Sequence, residues 1–153
     1  KLEPLRNFPV VADLAVDMSS LYMAMNDSAH PPVHGVGNSV LSYEKESDIF
    51  ATDEEEHERL SDCIECGMCV SACPSSITST TYVSPAALAG AHVAFSQEQN
   101  DSARDWTDQA DGVWRCHSAF ECTAVCPSGV DPAFRIMALR REIIKNRIKK
   151  IFS

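Results

Sequence analysis

The sequence Cys63-Ile-Glu-Cys66-Gly-Met-Cys69-Val-Ser-Ala-Cys73-Pro74 determines how the rest of the chain is interpreted. Its four cysteines follow the spacing C-x2-C-x2-C-x3-C-P, which is typical of thiolate ligands to iron–sulfur clusters. The two-residue gaps let three thiolates converge on one face of a cube, whereas the longer gap and the proline turn the fourth cysteine away. In proteins with two clusters that fourth cysteine binds the other cluster, so the stretch predicts a second motif.

The predicted partner is Cys116-His-Ser-Ala119-Phe-Glu-Cys122-Thr-Ala-Val-Cys126-Pro127. Aligned with the first motif, it has cysteine at the first, third and fourth positions and Ala119 at the second. The rule that the fourth cysteine crosses over then divides all seven cysteines of the chain into two sets. A [4Fe–4S] cluster is expected on Cys63, Cys66, Cys69 and Cys126, and the other cluster on Cys73, Cys116 and Cys122.

Ala119 predicts the type of the second cluster. A cubane corner that faces alanine has no protein ligand, so one iron should be absent and a [3Fe–4S] cluster is expected. A structural zinc site is the alternative, because four closely spaced cysteines can also hold zinc. The interleaved sets and the two Cys-Pro endings favour iron–sulfur clusters. An odd number of cysteines also fits poorly with a disulfide framework.

Composition and charge limit the classes of function. The chain has 153 residues, 44% of them hydrophobic, which is enough to bury a core. Its net charge of -9 is uneven, since residues 1–62 carry 13 acidic and 4 basic side chains, whereas residues 131–153 carry 2 acidic and 7 basic ones. The acidic body argues against nucleic acid as a partner. No run of about 18 apolar residues occurs, so no membrane-spanning helix is predicted.

Apolar spacing and capping residues predict a mainly α fold. The predicted helices cover Asp13–Asn26, a segment from Thr52 toward Leu60, about a dozen residues after Ser84-Pro85, a segment near Asp101–Ala110, and a long run after Asp131-Pro132. Residues 27–43 and 75–83 are expected to be loops, and no convincing strand is found. His30 and His34 lie in the first loop, where Pro31 and Pro32 prevent their helical alignment as a metal pair. The acidic run 53–58 is interpreted as a solvated helix face rather than a docking patch.

With both motifs placed, the chain resembles the iron–sulfur subunit of the succinate dehydrogenase and fumarate reductase family. The matching segments are Cys63–Pro74, Ser84–Leu88, Trp114–Pro127 and parts of the opening Glu3–Met18. The 42 residues between Cys73 and Cys116 match the spacing of that family rather than that of a small bacterial ferredoxin. The resemblance implies a helical ferredoxin domain with two interleaved iron–sulfur clusters.

The resemblance also implies what surrounds this domain. Such subunits usually begin with a [2Fe–2S] domain, but no cysteine precedes Cys63, and the first residue is lysine rather than methionine. We therefore expect the chain to be the C-terminal half only, either excised or encoded separately. Residues 1–50 are then a connector, helix and loop leading from the missing [2Fe–2S] domain, and residues 51–153 form the two-cluster domain.

In this family, electrons pass between an FAD-containing flavoprotein and a membrane quinone through [2Fe–2S], [4Fe–4S] and [3Fe–4S] clusters. The chain would then be an electron-transfer subunit of a succinate:quinone or quinol:fumarate oxidoreductase, with no catalytic residue of its own. Its expected partners are a flavoprotein subunit, a [2Fe–2S] domain or subunit, and a membrane anchor subunit that holds it on the cytoplasmic or mitochondrial-matrix face of the membrane. The alternative is a subunit of a heterodisulfide-reductase-like or glycolate-oxidase-like complex. Those subunits usually have two complete four-cysteine motifs, so Ala119 separates the two hypotheses.

Four residues near the second cluster are candidates for contact with quinone, namely Ser75, Trp114, Arg115 and His117. By position in the family motif, Ser75 and His117 would face the quinone pocket. Each of the four also has a plainer interpretation as a turn residue, a donor to sulfur or backbone, or a packing residue of the cluster loop. Many family members have a tryptophan pair after the first motif, where this chain has Ser76-Ile77-Thr78, so details of its quinone site are expected to differ.

The predicted C-terminal helix carries seven cations between isoleucines: Arg135, Arg140, Arg141, Lys145, Arg147, Lys149 and Lys150. One interpretation is attraction to anionic lipid headgroups near the membrane anchor. The other is a solvated helix whose cations are favourably placed near its C-terminal end. The sequence leaves both open.

Overall fold

A computed structural model describes the chain over residues 1–28, 59–98 and 105–152. Two short strands, β1 (Val10–Ala12) and β2 (Ala15–Val16), pair antiparallel. The helices with both ends described are α1 (Ser19–Asp27), α2 (Met68–Ser71), α3 (Pro74–Thr78), α4 (Pro85–Glu98), α5 (Glu121–Ala124) and α6 (Pro132–Phe152). Single 3₁₀ turns lie at Arg59–Asp62 and Val113–Arg115. The predicted mainly α class is confirmed.

The core lies between α4 and α6. Leu88 and Ala91 of α4 pack in one cluster with Ile136, Leu139 and Ile143 of α6, and all five are 0% exposed. The helix α4 is buried from Pro85 to Ala94, as expected for a helix that has no polar face. Both cysteine motifs are therefore built onto a buried helix pair.

The predicted helix starts of α4 and α6 are confirmed by their caps. The Ser84 hydroxyl accepts a hydrogen bond from the Ala87 N–H at 3.4 Å, and the Asp131 carboxylate accepts one from the Phe134 N–H at 3.1 Å. Such caps satisfy N–H groups that have no partner within the helix. The same Asp131 oxygen accepts the Thr123 hydroxyl at 2.6 Å, which ties α6 to α5 beside the second cysteine motif.

The prediction for the N-terminal segment is partly wrong. Residues 10–16 form the β1–β2 hairpin, in which Asp13 takes a left-handed conformation with φ 50°, so the helix begins at Ser19 and not at Asp13. The absence of strands was therefore also predicted wrongly. The later part of the predicted helix is confirmed. There Leu21 and Met25 are buried in one cluster with Val70 of α2 and with Ala86 and Ala87 of α4.

Two other predicted segments differ from the structure. Residues 75–83 were expected to be irregular, but α3 occupies Pro74–Thr78, because proline is well suited to the first turn of a helix. Of the helix predicted near 101–110, residues 105–107 are helical and turns follow. His30, His34, the acidic run 53–58 and the 50/51 domain boundary lie outside the described residues. Over the described ranges, no helix is both long and apolar enough to cross a membrane.

Candidate iron–sulfur centres

The two cysteine motifs adopt the same backbone conformation. Glu65 and Ser118, each two residues after the first cysteine, have φ 54° and 56°, and Gly67 and Phe120, two residues further on, have φ 74° and 60°. A four-residue helix then follows each loop, α2 in the first motif and α5 in the second. The structure thus supports the alignment of the two motifs, including the placement of Ala119 opposite the second cysteine of the first motif.

Matching hydrogen bonds close the two loops. The Val70 N–H donates to the Gly67 carbonyl at 3.1 Å, and the equivalent bond from Thr123 to Phe120 measures 3.0 Å. The last cysteine of each motif also donates its N–H to the residue three positions earlier, at 3.2 Å in both motifs. Left-handed residues in such tight turns are sparsely populated and are commonly found at functional sites.

The cysteines of the first predicted ligand set line one cavity. This set consists of Cys63, Cys66, Cys69 and Cys126, which come from the first motif and from the end of the second. The remaining wall is largely apolar and includes Leu21, Leu60, Ala86, Ala89 and Val130. The fourth cysteine of this cavity therefore comes from the other motif, and its role as a crossover ligand stays a prediction.

The cysteines of the second predicted set line a different cavity. Its three cysteines are Cys73, Cys116 and Cys122, and Ala119 is part of the same wall. Cys73 and Cys122 are buried. Three cysteines and Ala119 thus lie around one cavity, and their role as the site of a three-iron cluster stays a prediction.

Burial makes several of these thiols weak acids in the cluster-free chain. It raises the pKa of Cys63 and Cys69 above the ordinary value, and neighbouring thiols raise both further. For Cys122, burial and the nearby Cys73 raise the pKa to about 11. A thiol that coordinates a metal is deprotonated, so these sites need positive charge from bound iron before all their thiolates form.

The residues present fit iron–sulfur clusters in the two cavities. Sulfur is the donor that such clusters require, and the described part of the chain places three or four thiols around each cavity. Among the described residues, no three His, Cys, Asp or Glu side chains converge closely enough to hold one metal ion, whereas zinc requires sulfurs about 2.3 Å from a single point.

Of the four candidates for quinone contact, Ser75 and His117 line the second cavity. Ser75 is 1% exposed, and its hydroxyl donates to the Arg115 carbonyl at 2.9 Å. His117 is exposed. Trp114 and Arg115 do not line this cavity, so the structure brings two of the four candidates to it.

The contacts of Trp114 and Arg115 support the packing interpretation. The indole N–H of Trp114 donates to Asp108 at 2.6 Å, and the ring lies 5.7 Å and 5.3 Å from the guanidinium groups of Arg140 and Arg147. Arg147 forms two hydrogen bonds with the same Asp108 carboxylate, at 2.6 and 3.0 Å. Arg115 lies 3.5 Å from Asp111. These contacts hold the 3₁₀ turn before Cys116 against α6.

The sequence interpretation missed the roles of Arg135 and Arg140. Arg135 is 3% exposed and donates to the Val130 carbonyl, and Arg140 donates to the carbonyls of Val113 and Cys116 at 2.6 and 2.9 Å. Neither lipid attraction nor a solvated face describes these two side chains. Both open interpretations remain for Arg141, Lys145, Lys149 and Lys150, which are exposed on α6.

Tyr82 lies beside the second cavity, although nothing in the sequence singled it out. It lies in a Ser- and Thr-rich loop with no fixed spacing to a cysteine, yet it lines the second cavity and is 8% exposed. Its hydroxyl oxygen is buried next to the Cys116 thiol and makes no hydrogen bond of ordinary geometry to another described protein group. Burial, and then Cys116, Cys73 and Cys122, raise the pKa of Tyr82 far above its ordinary value, so the hydroxyl keeps its proton.

Comparison with known proteins shows which proteins this chain is similar to. Residues 59–130 match the 4Fe-4S dicluster domain family, and this segment contains all seven cysteines of the chain. Over nearly its whole length, the chain is similar to iron–sulfur subunits of fumarate reductase and succinate dehydrogenase, and the predicted resemblance is confirmed.

The relatives are bacterial proteins of moderate identity. The fumarate reductase iron-sulfur subunit of Mycobacterium tuberculosis is 34% identical over 162 positions, covering 99% of this chain and 62% of the relative. The fumarate reductase iron-sulfur subunit of Escherichia coli O6:H1 is 30% identical, covering 95% and 60%. The succinate dehydrogenase iron-sulfur subunit of Paracoccus denitrificans is 28% identical, covering 92% and 54%. The chain thus spans about 60% of the length of the first two relatives.

Proposed function

We propose that this chain is an electron-transfer subunit of a succinate:quinone or quinol:fumarate oxidoreductase. It would carry electrons between a flavoprotein, by way of a [2Fe–2S] cluster, and a membrane quinone. The [4Fe–4S] cluster would be held by Cys63, Cys66, Cys69 and Cys126, and the [3Fe–4S] cluster by Cys73, Cys116 and Cys122. Support comes from the relatives, which are iron–sulfur subunits of such oxidoreductases.

The observation that carries the proposal is the division of the seven cysteines between two cavities. Each cavity takes thiols from both motifs, which is what cross-ligation between neighbouring clusters requires. When bound, the clusters supply one-electron carriers at short separation. The protein contributes the thiolates and the largely apolar walls of the two cavities. Helix α4 lines both of them, the first through Ala86 and Ala89 and the second through Pro85.

Further parts of the proposal concern the assembly. Residues 1–50 would lead from a [2Fe–2S] domain or subunit, and residues 51–153 would form the two-cluster domain. The chain would bind an FAD-containing flavoprotein subunit and a membrane anchor subunit that holds it at the cytoplasmic or mitochondrial-matrix face of the membrane. The oxidation or reduction of dicarboxylate belongs to the flavoprotein in this proposal, so no side chain of this chain is catalytic.

Quinone is proposed to approach the second cavity on the side of His117, which is exposed while lining the cavity. Ser75 lines the same cavity, but its hydroxyl is already bonded to the Arg115 carbonyl. Ser75 would therefore shape the site rather than donate to quinone. Trp114 and Arg115 would support the loop that carries Cys116.

Metal analysis and electron paramagnetic resonance test the cluster content. The purified or reconstituted chain should contain about seven iron atoms and give a three-iron signal when oxidised and a four-iron signal when reduced. Eight iron atoms with no three-iron signal would refute the second cluster as proposed. Redox titration with and without a quinone analogue, in the assembled complex, would test whether the three-iron signal responds to quinone.

Ala119 distinguishes the proposal from its nearest alternative, a subunit of a heterodisulfide-reductase-like or glycolate-oxidase-like complex. Those subunits usually carry a cysteine at that position and would show two four-iron clusters. A structural zinc module is the third hypothesis. It predicts a colourless protein that contains zinc, whereas bound iron–sulfur clusters make the protein brown.

A further inference from the structure

The position of the Tyr82 hydroxyl is not explained by the packing of the protein alone. The ring belongs to the same buried cluster as Cys73, Leu88, Val113 and Ile136. The backbone of the loop is held by a hydrogen bond from the Val83 N–H to the Asp111 carbonyl at 3.0 Å. Because the ring is packed among these hydrophobic residues, the hydroxyl cannot turn out to solvent without disrupting the hydrophobic core.

The hydroxyl oxygen itself is buried, lies next to the Cys116 thiol, and makes no hydrogen bond of ordinary geometry to another described protein group. A buried donor without a partner is destabilising, whereas phenylalanine would fill the same space at no such cost. Such a group in a folded protein commonly serves a ligand or a functional role. The cavity that Tyr82 lines also contains the thiols of Cys73, Cys116 and Cys122, which would hold the three-iron cluster.

We propose that the Tyr82 hydroxyl donates a hydrogen bond to a sulfur atom of the cluster in the second cavity and thereby raises its reduction potential. The inference rests on the proposed function, because it requires the three-iron cluster. The acceptor is either a coordinating thiolate or a cluster sulfide, since both carry negative charge. A hydrogen bond to sulfur stabilises the reduced cluster more, because reduction adds a negative charge. Tyr82 is thus a positioning residue that transfers neither proton nor electron.

The test compares Tyr82→Phe with the unchanged chain, both loaded with clusters. The variant should lower the equilibrium constant for reduction of the three-iron cluster by about tenfold, which for one electron corresponds to about 59 mV. The four-iron cluster of the same molecule is the internal reference, and its potential should not move. Tyr22→Phe is the matched control, because Tyr22 is 48% exposed on α1 and lines neither cavity. It should leave both potentials unchanged.

A second measurement separates tuning from a structural role. In the cluster-free chain, Tyr82→Phe should be as stable as the unchanged chain or more stable, because it removes a buried hydroxyl without a partner. In the loaded, unchanged chain assembled in ordinary water, pulsed paramagnetic resonance should detect a proton coupled to the three-iron signal. Assembly in deuterated water, or Tyr82→Phe, should remove that coupling.

The outcomes distinguish this inference from the proposed function. A three-iron signal with the same potential in Tyr82→Phe, or one with no exchangeable proton in the unchanged chain, overturns the inference and leaves the proposed function standing. An equal shift of both clusters overturns the inference as well, because it indicates a general perturbation. The absence of any three-iron signal from the unchanged chain overturns both.

Discussion

The hydroxyl of Ser75 donates a hydrogen bond to the carbonyl oxygen of Arg115 at 2.9 Å, which joins the end of the first cysteine motif to the start of the second. Ser75 lies two residues after Cys73, and Arg115 directly precedes Cys116. Both cysteines line the second cavity. A single partly buried bond therefore helps to fix the separation of two thiols that lie 43 positions apart in the sequence.

We predict that Ser75→Ala lowers stability by about 1 kcal/mol, because it removes the donor of a partly buried hydrogen bond. The variant should also lose part of its three-iron signal while the four-iron signal persists. Thermal unfolding and paramagnetic resonance measure the two effects. The neighbouring Ser76→Ala is the control, since the Ser76 hydroxyl is buried with no hydrogen-bond partner among the described groups, and its removal should not destabilise the chain. Equal losses in both variants would contradict the role given to the Ser75–Arg115 bond.

If each cluster takes a ligand from the other motif, removing the last cysteine of one motif should abolish the cluster that is held mainly by the other motif. An arrangement in which each motif holds its own cluster predicts the opposite. Cys73→Ala removes a cysteine of the first motif but should abolish the three-iron signal and leave the four-iron signal in place. Cys126→Ala, in the second motif, should do the reverse, because its thiol lines the first cavity. Paramagnetic resonance of the oxidised and reduced variants measures both signals. If each variant instead lost the cluster of its own motif, the interleaved assignment would be wrong.

Replacing Ala119 by cysteine should convert the three-iron cluster to a four-iron cluster, because the cubane corner that lacked a ligand would gain a thiolate. The iron content should rise from about seven to about eight per chain, and the potential of this cluster should fall. Ala119→Val is the matched control, since it adds volume without a ligand and should keep the three-iron signal. Retention of the three-iron signal in Ala119→Cys would show that another feature excludes the fourth iron.

Gly67 and Gly129 have nearly the same backbone conformation but different surroundings. Comparing their alanine variants therefore separates the cost of backbone strain from the cost of steric overlap. Gly67 and Gly129 have φ 74° and 66°, so alanine at either position should cost about 1 kcal/mol of conformational strain. A Cβ atom at Gly67 would lie 2.8 Å from the Met18 side chain and 3.1 Å from the Phe8 ring, whereas one at Gly129 would meet nothing within 4 Å. We predict that Gly67→Ala is the more destabilising variant by roughly 1–3 kcal/mol of overpacking. Chemical denaturation of the two variants measures the difference, and equal costs would argue against this packing.

The exposed cations of α6 allow a test of the two interpretations that the sequence left open. Lys145 and Lys149 are exposed and lie beside Ile144 and Ile148, which are 41% and 49% exposed. If this face meets anionic lipid, Lys145→Gln with Lys149→Gln should weaken binding to phosphatidylglycerol vesicles by on the order of tenfold, and added salt should do the same. Lys1→Gln with Arg6→Gln removes the same charge elsewhere and should have little effect. Unchanged vesicle binding in the α6 variant would favour the solvated-helix interpretation.

The sequence by itself determined the helical class, which the structure confirms, and it predicted seven candidate ligands and their division into sets of four and three. Cysteine spacing is a local property, and a missing ligand at Ala119 is visible without coordinates. The starts of α4 and α6 were also predictable, because Ser84 and Asp131 cap them through bonds that span three residues. The Asp13–Asn26 helix was misjudged at its start, since apolar spacing cannot distinguish a short hairpin that precedes a helix from the helix itself.

Only the tertiary structure decided which side chains surround each cavity. Packing of α4 against α6, together with the returning loops, brings Tyr82 to the thiols of Cys73, Cys116 and Cys122 and directs Arg140 to the carbonyls of the second motif. These contacts join residues far apart in the chain, and no periodicity or capping rule encodes them. The physical reason is that ligand spacing acts within a dozen residues, whereas burial and hydrogen bonding around a site depend on which helices share the core.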